Sequence, residues 1–170
     1  HIEGNKLKHW IDHFYGYGSW QAKTWFIGYA EGGGEDPEEV ADKINEFYPE
    51  HPCPDSSLCN IRKLYRHVSM YDGPKTFSFA NRFQYRFDDH AVLHGTWKNL
   101  IAFAHGYKGE KLPDLLAYQK EYFLSASLQR EALIQFYPLP SPHNHAWYYS
   151  WVDLPGLSFI RNRTIYQEHV

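Results

Sequence analysis

Residues 23–39 constrain the fold more than any other stretch of the chain. They read Lys-Thr-Trp-Phe-Ile-Gly-Tyr-Ala-Glu-Gly-Gly-Gly-Glu-Asp-Pro-Glu-Glu. The apolar run at 25–27 predicts a strand covered on both faces, and the glycines at 32–34 predict a sharp turn after it. Asp36 suits the N-cap of a following helix, and Pro37 suits its first position. A strand that leads through glycines into a helix is a common place for a ligand in an α/β sheet.

The composition limits the class of protein. The chain has 170 residues, enough for one domain with a buried core, and we predict a single domain over residues 1–170. Its net charge of −3 gives no overall basic field for nucleic acid, although a local basic patch is compatible with that charge. No apolar run approaches the roughly 20 residues of a membrane span, so we expect no membrane partner. We also find no signal peptide and no cysteine-rich framework, and therefore expect a cytoplasmic protein.

The spacing of apolar residues predicts helices around two strands. The expected helices are a short one ending before Gly16, one that starts at Pro37 and stops before Pro49, and others over 58–70, 96–103 and 112–128. A second buried strand is expected over 130–137, ended by Pro138. Together these elements predict an α/β fold, a three-layer α/β/α sandwich with a short, mainly parallel central sheet. Since two strands are few for such a sheet, either the aromatic stretch 77–87 adds more, or the chain is incomplete at its C-terminal end.

The glycine-rich loop that follows the first strand is the first candidate for chemistry. No Lys-Ser/Thr pair follows its glycines, so it is not a phosphate-binding P-loop, and its spacing is not that of a dinucleotide fingerprint. The acids Glu31, Glu35 and Asp36 would repel phosphate but suit activation of water, binding of a cation or reading of a base edge. The alternative is a plain strand-to-helix turn whose acids are solvated.

A second candidate loop follows the second strand and contains His143 and His145. The loops after parallel strands lie along one edge of a sheet, so this loop is expected to face the glycine loop. Its histidines suit an acid, an electrophile or a metal ligand. The alternative is that they cap an aromatic loop without any chemical role.

Two further groups carry weaker indications. Arginines alternate with aromatic residues at 62–67, 82–87 and 161–163, a mixture that suits phosphate contacts with base stacking or, equally, core aromatics beside solvated arginines. Soft ligands also cluster between 51 and 67, but their spacing is unusual for zinc, and we predict no metal site. That cluster comprises His51, Cys53, Cys59 and His67.

Three short motifs resemble the uracil-DNA glycosylase superfamily. Gly-Tyr-Ala-Glu-Gly at 28–32 is similar to the loop of Gly, two variable residues and usually Pro-Gly that opens that family's site. Ser-Leu-Cys-Asn-Ile at 57–61 resembles its Ser-Leu-x-Asn-Ile helix start. Leu-Pro-Ser-Pro at 139–142 resembles its His-Pro-Ser-Pro groove-binding loop. In a second alignment Gln135 matches the strand whose Asn reads the base, and the groove-binding loop then lies beyond Val170.

The resemblance implies a DNA glycosylase-like hydrolase that acts on a damaged nucleobase, without cofactor or metal, with DNA or a nucleobase-containing ligand as its partner. The family's water-activating residue is replaced at Tyr29 and Ala30, which makes Glu31 the nearest carboxylate. The implied roles are catalytic for Glu31 and His143, base-binding for Gly28, Tyr29, Gly32, Gln135 and Asn144, and DNA-binding for Ser141, Arg82, Arg86 and Arg161. Two alternatives are a non-catalytic nucleic-acid or nucleotide-binding protein with the same fold, and a metal-dependent hydrolase using Glu31, Asp36, His143 and His145.

Overall fold

The computed structural model describes residues 3–32, 41, 44, 58–69 and 86–141, without the side chains of 66–69 and 141. In chain order the described elements are α1 (Gly4–His13), β1 (Gly16–Tyr17), β2 (Thr24–Gly32), α2 (Ile61–Ser69), α3 (Gly95–Tyr107), α4 (Leu115–Glu121) and β3 (Glu131–Ser141). The predicted helix from Pro37 has two described residues, Ala41 and Ile44, which are both helical and buried. The aromatic stretch at 77–85 lies outside the described residues.

The described strands form one small mixed sheet in the order β1-β3-β2. Strands β2 and β3 run parallel, with Thr24 opposite Glu131 and Gly28 opposite Gln135. The two-residue strand β1 pairs antiparallel with β3, Tyr17 lying opposite Leu133. The chain is thus of the α/β class. The described strands make one parallel and one antiparallel pair.

The main hydrophobic core joins one face of the sheet to the helices. Tyr17 and Leu133 from the sheet belong to the same buried cluster as Trp10 of α1, Leu64 of α2 and Ile101 of α3. On the opposite face a much smaller cluster contains Ala22, Leu58, Ala132 and Ile134. The apolar face predicted for each of the helices α1, α2 and α3 is therefore buried, as expected. Each helix packs this face toward the sheet.

The expectation that β2 is covered on both faces is wrong. Trp25 is 47% exposed, Ile27 73% and Tyr29 41%. These alternate residues share one face of the strand, whereas Phe26 and Ala30 pack against the main core from the other face. A continuous apolar run predicts burial on both sides, but among the described residues one side of this strand is a largely exposed apolar surface.

Two glycines allow β1 to lie close against β3. Gly16 has a φ of +133°, and a Cβ there would stand 2.0 Å from the carbonyl oxygen of Leu133. Gly18 has a φ of +109°, and a Cβ there would stand 2.6 Å from the carbonyl oxygen of Glu131. An L side chain is therefore excluded on both sides of Tyr17 by backbone conformation and by space. These glycines, predicted only to end a helix, set the position of Tyr17.

Two predicted boundaries are wrong. Helix α4 is much shorter than the expected 112–128, because Asp114 caps its start through bonds from the amides of Leu116 and Ala117, while a φ of +57° at Leu124 cannot continue a helix. Strand β3 runs through Pro138 to Ser141 instead of ending before it. Proline is tolerated there because the pairing of β3 with β2 is irregular between Tyr137 and Ser141, where the regular ladder of amide donors is interrupted.

Candidate active site at the carboxyl end of the parallel strands

The carboxyl ends of β2 and β3 lie at the same edge of the sheet, as predicted for parallel strands. Between Ala30 and Gly32 the register shifts, so that Gly32 lies opposite Ser141 although Ala30 lies opposite Tyr137. Such irregularities change the direction in which a side chain points and are frequent beside functional sites. Glu31 lies within this irregular step.

Glu31 is a buried carboxylate with 5% of its surface exposed. The Tyr17 hydroxyl donates to its Oε1 over 2.5 Å, and the Tyr65 hydroxyl donates to the same oxygen over 2.8 Å. The two donors come from β1 and α2, on either side of the carboxylate in the sequence. We call these three side chains the Glu31 clamp. A charged oxygen that accepts two short hydrogen bonds is held in one orientation, and its burial is compensated by those bonds.

The clamp also changes the acidity of its tyrosine. Burial, followed by the nearby Glu31 carboxylate and the Tyr65 hydroxyl, raises the pKa of Tyr17 well above its ordinary value. The Tyr17 phenol therefore stays protonated at physiological pH and remains a donor to Glu31.

Gly28 and Gln135 face each other across β2 and β3. Gln135 is buried, and a Cβ at Gly28 would stand 2.8 Å from its side-chain oxygen. The absence of a side chain at Gly28 thus makes room for the Gln135 amide. The resemblance predicts that a base lies against Gly28. In the structure the space beside Gly28 holds the side-chain amide of Gln135, the residue predicted to read that base.

Three more predicted residues lie at or near the same edge. Tyr29 is half-exposed on the open face of β2, and its ring meets the edge of the Tyr137 ring with centroids 4.6 Å apart. Gly32 and Ser141 are paired at the ends of the strands. The structure therefore brings six of the predicted residues to one pair of strands. They are Gly28, Tyr29, Glu31, Gly32 and Gln135, with Ser141 at the end of β3.

The arginines proposed for DNA binding are only partly described. The Arg86 guanidinium lies 5.7 Å from the centre of the Trp97 ring, a cation–π arrangement. Arg62, which belongs to the same kind of aromatic-basic stretch, has a structural role instead: it donates to the carbonyls of Gln119, Lys120 and Phe123. The remaining predicted site residues lie outside the described part of the chain, namely Arg82, His143, Asn144 and Arg161.

The other possibilities that the sequence raised receive no geometric support. Cys59 is disulfide-bonded, so its sulfur is not available to zinc as a thiolate. Within 3–32, 58–69 and 86–141, together with residues 41 and 44, no three His, Cys, Asp or Glu side chains are grouped so as to hold a metal ion. Asp36, His143 and His145 of the metal-dependent alternative lie outside those ranges. None of the described helices is long and apolar enough to cross a membrane.

A second buried carboxylate lies at the opposite, amino end of β3. Glu131 accepts hydrogen bonds from the Tyr118 hydroxyl at 3.0 and 3.1 Å. Arg130 and Lys108 stand 3.6 and 4.0 Å from it. Glu131 is thus buried and bonded to a tyrosine, as Glu31 is, but it lies among cations. Glu31 and Glu131 can therefore be compared as two buried carboxylates, one at the candidate site and one at the other end of the same strand pair.

The tyrosines of the clamp were not predicted as site residues. Tyr65 was expected on the inner face of its helix, which is confirmed, but its hydroxyl contact depends on where α2 meets the sheet. Tyr17 has one local indication, its position between two glycines, which permits close strand pairing. Comparison with known proteins finds no match to a protein-family model, to a curated protein or to a solved structure.

Proposed function

We propose that the chain is a DNA glycosylase-like hydrolase that cleaves the N-glycosidic bond of a damaged nucleobase. Its water would be activated by the Glu31 carboxylate at the end of β2. The observation that best supports this is the Glu31 clamp, a buried carboxylate oriented by two tyrosine hydroxyls at the carboxyl edge of a parallel strand pair. An oriented carboxylate beside a glycine-rich loop is the arrangement that directed attack by water on a sugar carbon requires.

The neighbouring residues suit recognition of a base. An amide such as Gln135 matches the donor and acceptor groups of a base edge, and it is buried beside Gly28. The half-exposed ring of Tyr29 suits stacking on a base that has left the duplex. His143 and Asn144 stay predictions from the sequence, as electrophile and second amide. Contacts to the DNA backbone by Ser141, Arg82, Arg86 and Arg161 and a cytoplasmic location likewise stay predictions.

A second candidate is a nucleic-acid or nucleotide-binding protein without catalysis. It is favoured by the burial of Glu31 and by the two tyrosine hydroxyls that share its Oε1. A carboxylate so enclosed makes little contact with water, which a general base must touch. On this interpretation Glu31 accepts a hydrogen bond from the ligand or only stabilises the fold.

The two candidates are separated by a cleavage assay on labelled duplexes that contain uracil, hypoxanthine or xanthine, each matched to an undamaged duplex of the same sequence. Alkali breaks the strand wherever a base has been removed, so a gel reports excision directly. We expect excision of at least one of these bases and none from the undamaged control. Tight binding of the damaged duplexes without any cleavage would overturn the hydrolase proposal in favour of the second candidate.

A further inference from the structure

Helix α1 carries two histidines one turn apart toward its C-terminal end. His9 and His13 are four positions apart, so their side chains project from the same face of the helix. Their rings are stacked, with centroids 4.1 Å apart and planes at 24° to each other. Both side chains are partly buried, which limits the positions that the rings can take. The two imidazoles are thus held side by side by the fold.

A hydrogen bond of His13 fixes which of its ring nitrogens carries the proton. Nδ1 of His13 lies 2.8 Å from the backbone carbonyl oxygen of His9. Because a carbonyl oxygen only accepts, Nδ1 carries the proton and donates, and the lone pair of the neutral ring is then on Nε2. Histidines that bind metal ions commonly donate their other ring N–H to a carbonyl or carboxylate in this way. Nε2 of His13 is therefore prepared to act as a metal ligand.

We propose that His9 and His13 together bind one divalent transition-metal ion, with water completing its coordination. Zn–N bonds of ~2.0–2.1 Å place two nitrogens on a tetrahedral zinc ion about 3.4 Å apart. The ring separation of 4.1 Å is close to that distance, so rotation of the His9 ring about its own side-chain bonds brings one of its nitrogens to the ion. Imidazole suits zinc, copper and nickel, whereas magnesium and calcium prefer oxygen ligands.

The charges around the two histidines favour a cation. His13 lies in the last turn of α1, where the carbonyl end of the helix carries a partial negative charge. The two lysines of this helix are each paired with a carboxylate, Lys6 with Glu3 and Lys8 with Asp12. A bound dication therefore does not meet an unpaired ammonium group of α1.

A metal ion at this site stabilises the end of α1 from which the chain enters β1. Trp10, between the two histidines, is buried and donates to the carbonyl of Pro138 in β3. The two imidazoles reach one ion together when residues 9 and 13 are one helical turn apart, so the ion binds the folded helix in preference to the unfolded chain. Metal binding here does not require the activity proposed for Glu31.

The test is a titration of the isotope-labelled protein with Zn²⁺ at neutral pH, followed by NMR of the imidazole groups. The chain has 11 histidines, and the exposed His90 serves as an internal control for zinc bound by a single imidazole. We expect the His9 and His13 signals to change together at zinc concentrations at least ~10-fold below those that change His90. A response of His9 or His13 only at the zinc concentrations that affect His90 would overturn the site.

Two matched variants test the chelate itself. His13→Gln leaves His9 as a single ligand, so His9 should then need at least ~10-fold more zinc, whereas His90→Gln should leave its response unchanged. Zinc should also raise the thermal unfolding midpoint more in the wild-type protein and in His90→Gln than in His13→Gln. An unchanged zinc response of His9 in His13→Gln would contradict the chelate. If His13→Gln does not fold, the comparison of His9 with His90 in the wild-type protein alone decides.

Discussion

The hydroxyl of Tyr17 donates to Oε1 of Glu31 over 2.5 Å, within the buried core. Replacing that donor leaves a buried carboxylate with one charge-assisted bond fewer. We therefore expect Tyr17→Phe to lower the free energy of unfolding by about 2 kcal/mol, measured by urea denaturation. Tyr65→Phe should cost less because its bond is longer. Tyr107→Phe, on a side chain 79% exposed, is the control and should change stability by less than about 0.5 kcal/mol.

The two clamp tyrosines share one acceptor oxygen, so their effects should not add. In a double-mutant cycle the pair Tyr17→Phe and Tyr65→Phe should show a coupling energy of about 0.5 kcal/mol or more. Additive losses would mean that the two hydroxyls act independently of a common carboxylate.

Glycines 16 and 28 should differ sharply in their tolerance of alanine. At Gly16 the added Cβ meets a backbone carbonyl and the φ is positive, so Gly16→Ala should cost at least about 2 kcal/mol and disrupt β1. At Gly28 the Cβ meets the end of the Gln135 side chain, which is able to turn away, so Gly28→Ala should cost about 1 kcal/mol or less. Thermal unfolding measured by circular dichroism tests both. Similar losses at the two positions would contradict the described strand pairing.

Arg62 should be irreplaceable even by lysine. Its planar guanidinium donates to three carbonyls at the end of α4, and a single ammonium group lacks that fork. We expect Arg62→Lys to lower the free energy of unfolding by about 2 kcal/mol. Lys63→Gln, on the exposed neighbour in the same helix, should stay within about 0.5 kcal/mol. If Arg62→Lys left the free energy of unfolding unchanged, the carbonyl bonds of Arg62 would not be what holds α2 against α4.

The loss of folding stability at alkaline pH should depend on the hydrogen bond between Tyr118 and Glu131. Burial first, and then the Glu131 carboxylate, raise the pKa of Tyr118 from 10.0 to about 12. The phenol ionises first in the unfolded chain, so its contribution to stability is present below pH 10.0 and is lost as pH rises toward 12. In a pH titration followed at the phenolate absorbance band, Tyr118→Phe should lack one tyrosine that ionises well above pH 10.0 in the wild-type protein. Glu131→Gln should move that titration toward 10.0, and an unchanged titration would contradict the contact.

The parts of the fold that follow from local pattern could be predicted from the sequence. The stripe Leu7, Trp10 and Ile11 predicts α1, and the apolar residues within 130–137 predict most of β3. The length of α4 could not be predicted in this way, because a capping Asp114 and a positive φ at Leu124 override a favourable apolar spacing. The open face of β2 was also missed, since an apolar run does not reveal whether a second layer covers it.

The candidate site was predictable only in its position. Parallel strands bring their carboxyl ends together, so placing Glu31 near the end of β3 needed only the strand direction. The clamp itself depends on where β1 and α2 dock, and these contacts join residues 14 and 34 positions apart from Glu31 in the sequence. No local period encodes such contacts, and Tyr17 is marked only by its two flanking glycines.

The central claim, that Glu31 activates water, is tested most directly by comparing Glu31→Gln with Glu131→Gln in the excision assay. Both variants neutralise a buried, tyrosine-bonded carboxylate on the same strand pair, so Glu131→Gln controls for the loss of a buried charge away from the candidate site. With rates expressed per folded molecule, Glu31→Gln should lower excision by roughly 10²–10⁴-fold, whereas Glu131→Gln should retain the wild-type rate. Excision that persists in folded Glu31→Gln, or falls equally in both variants, would contradict the assignment.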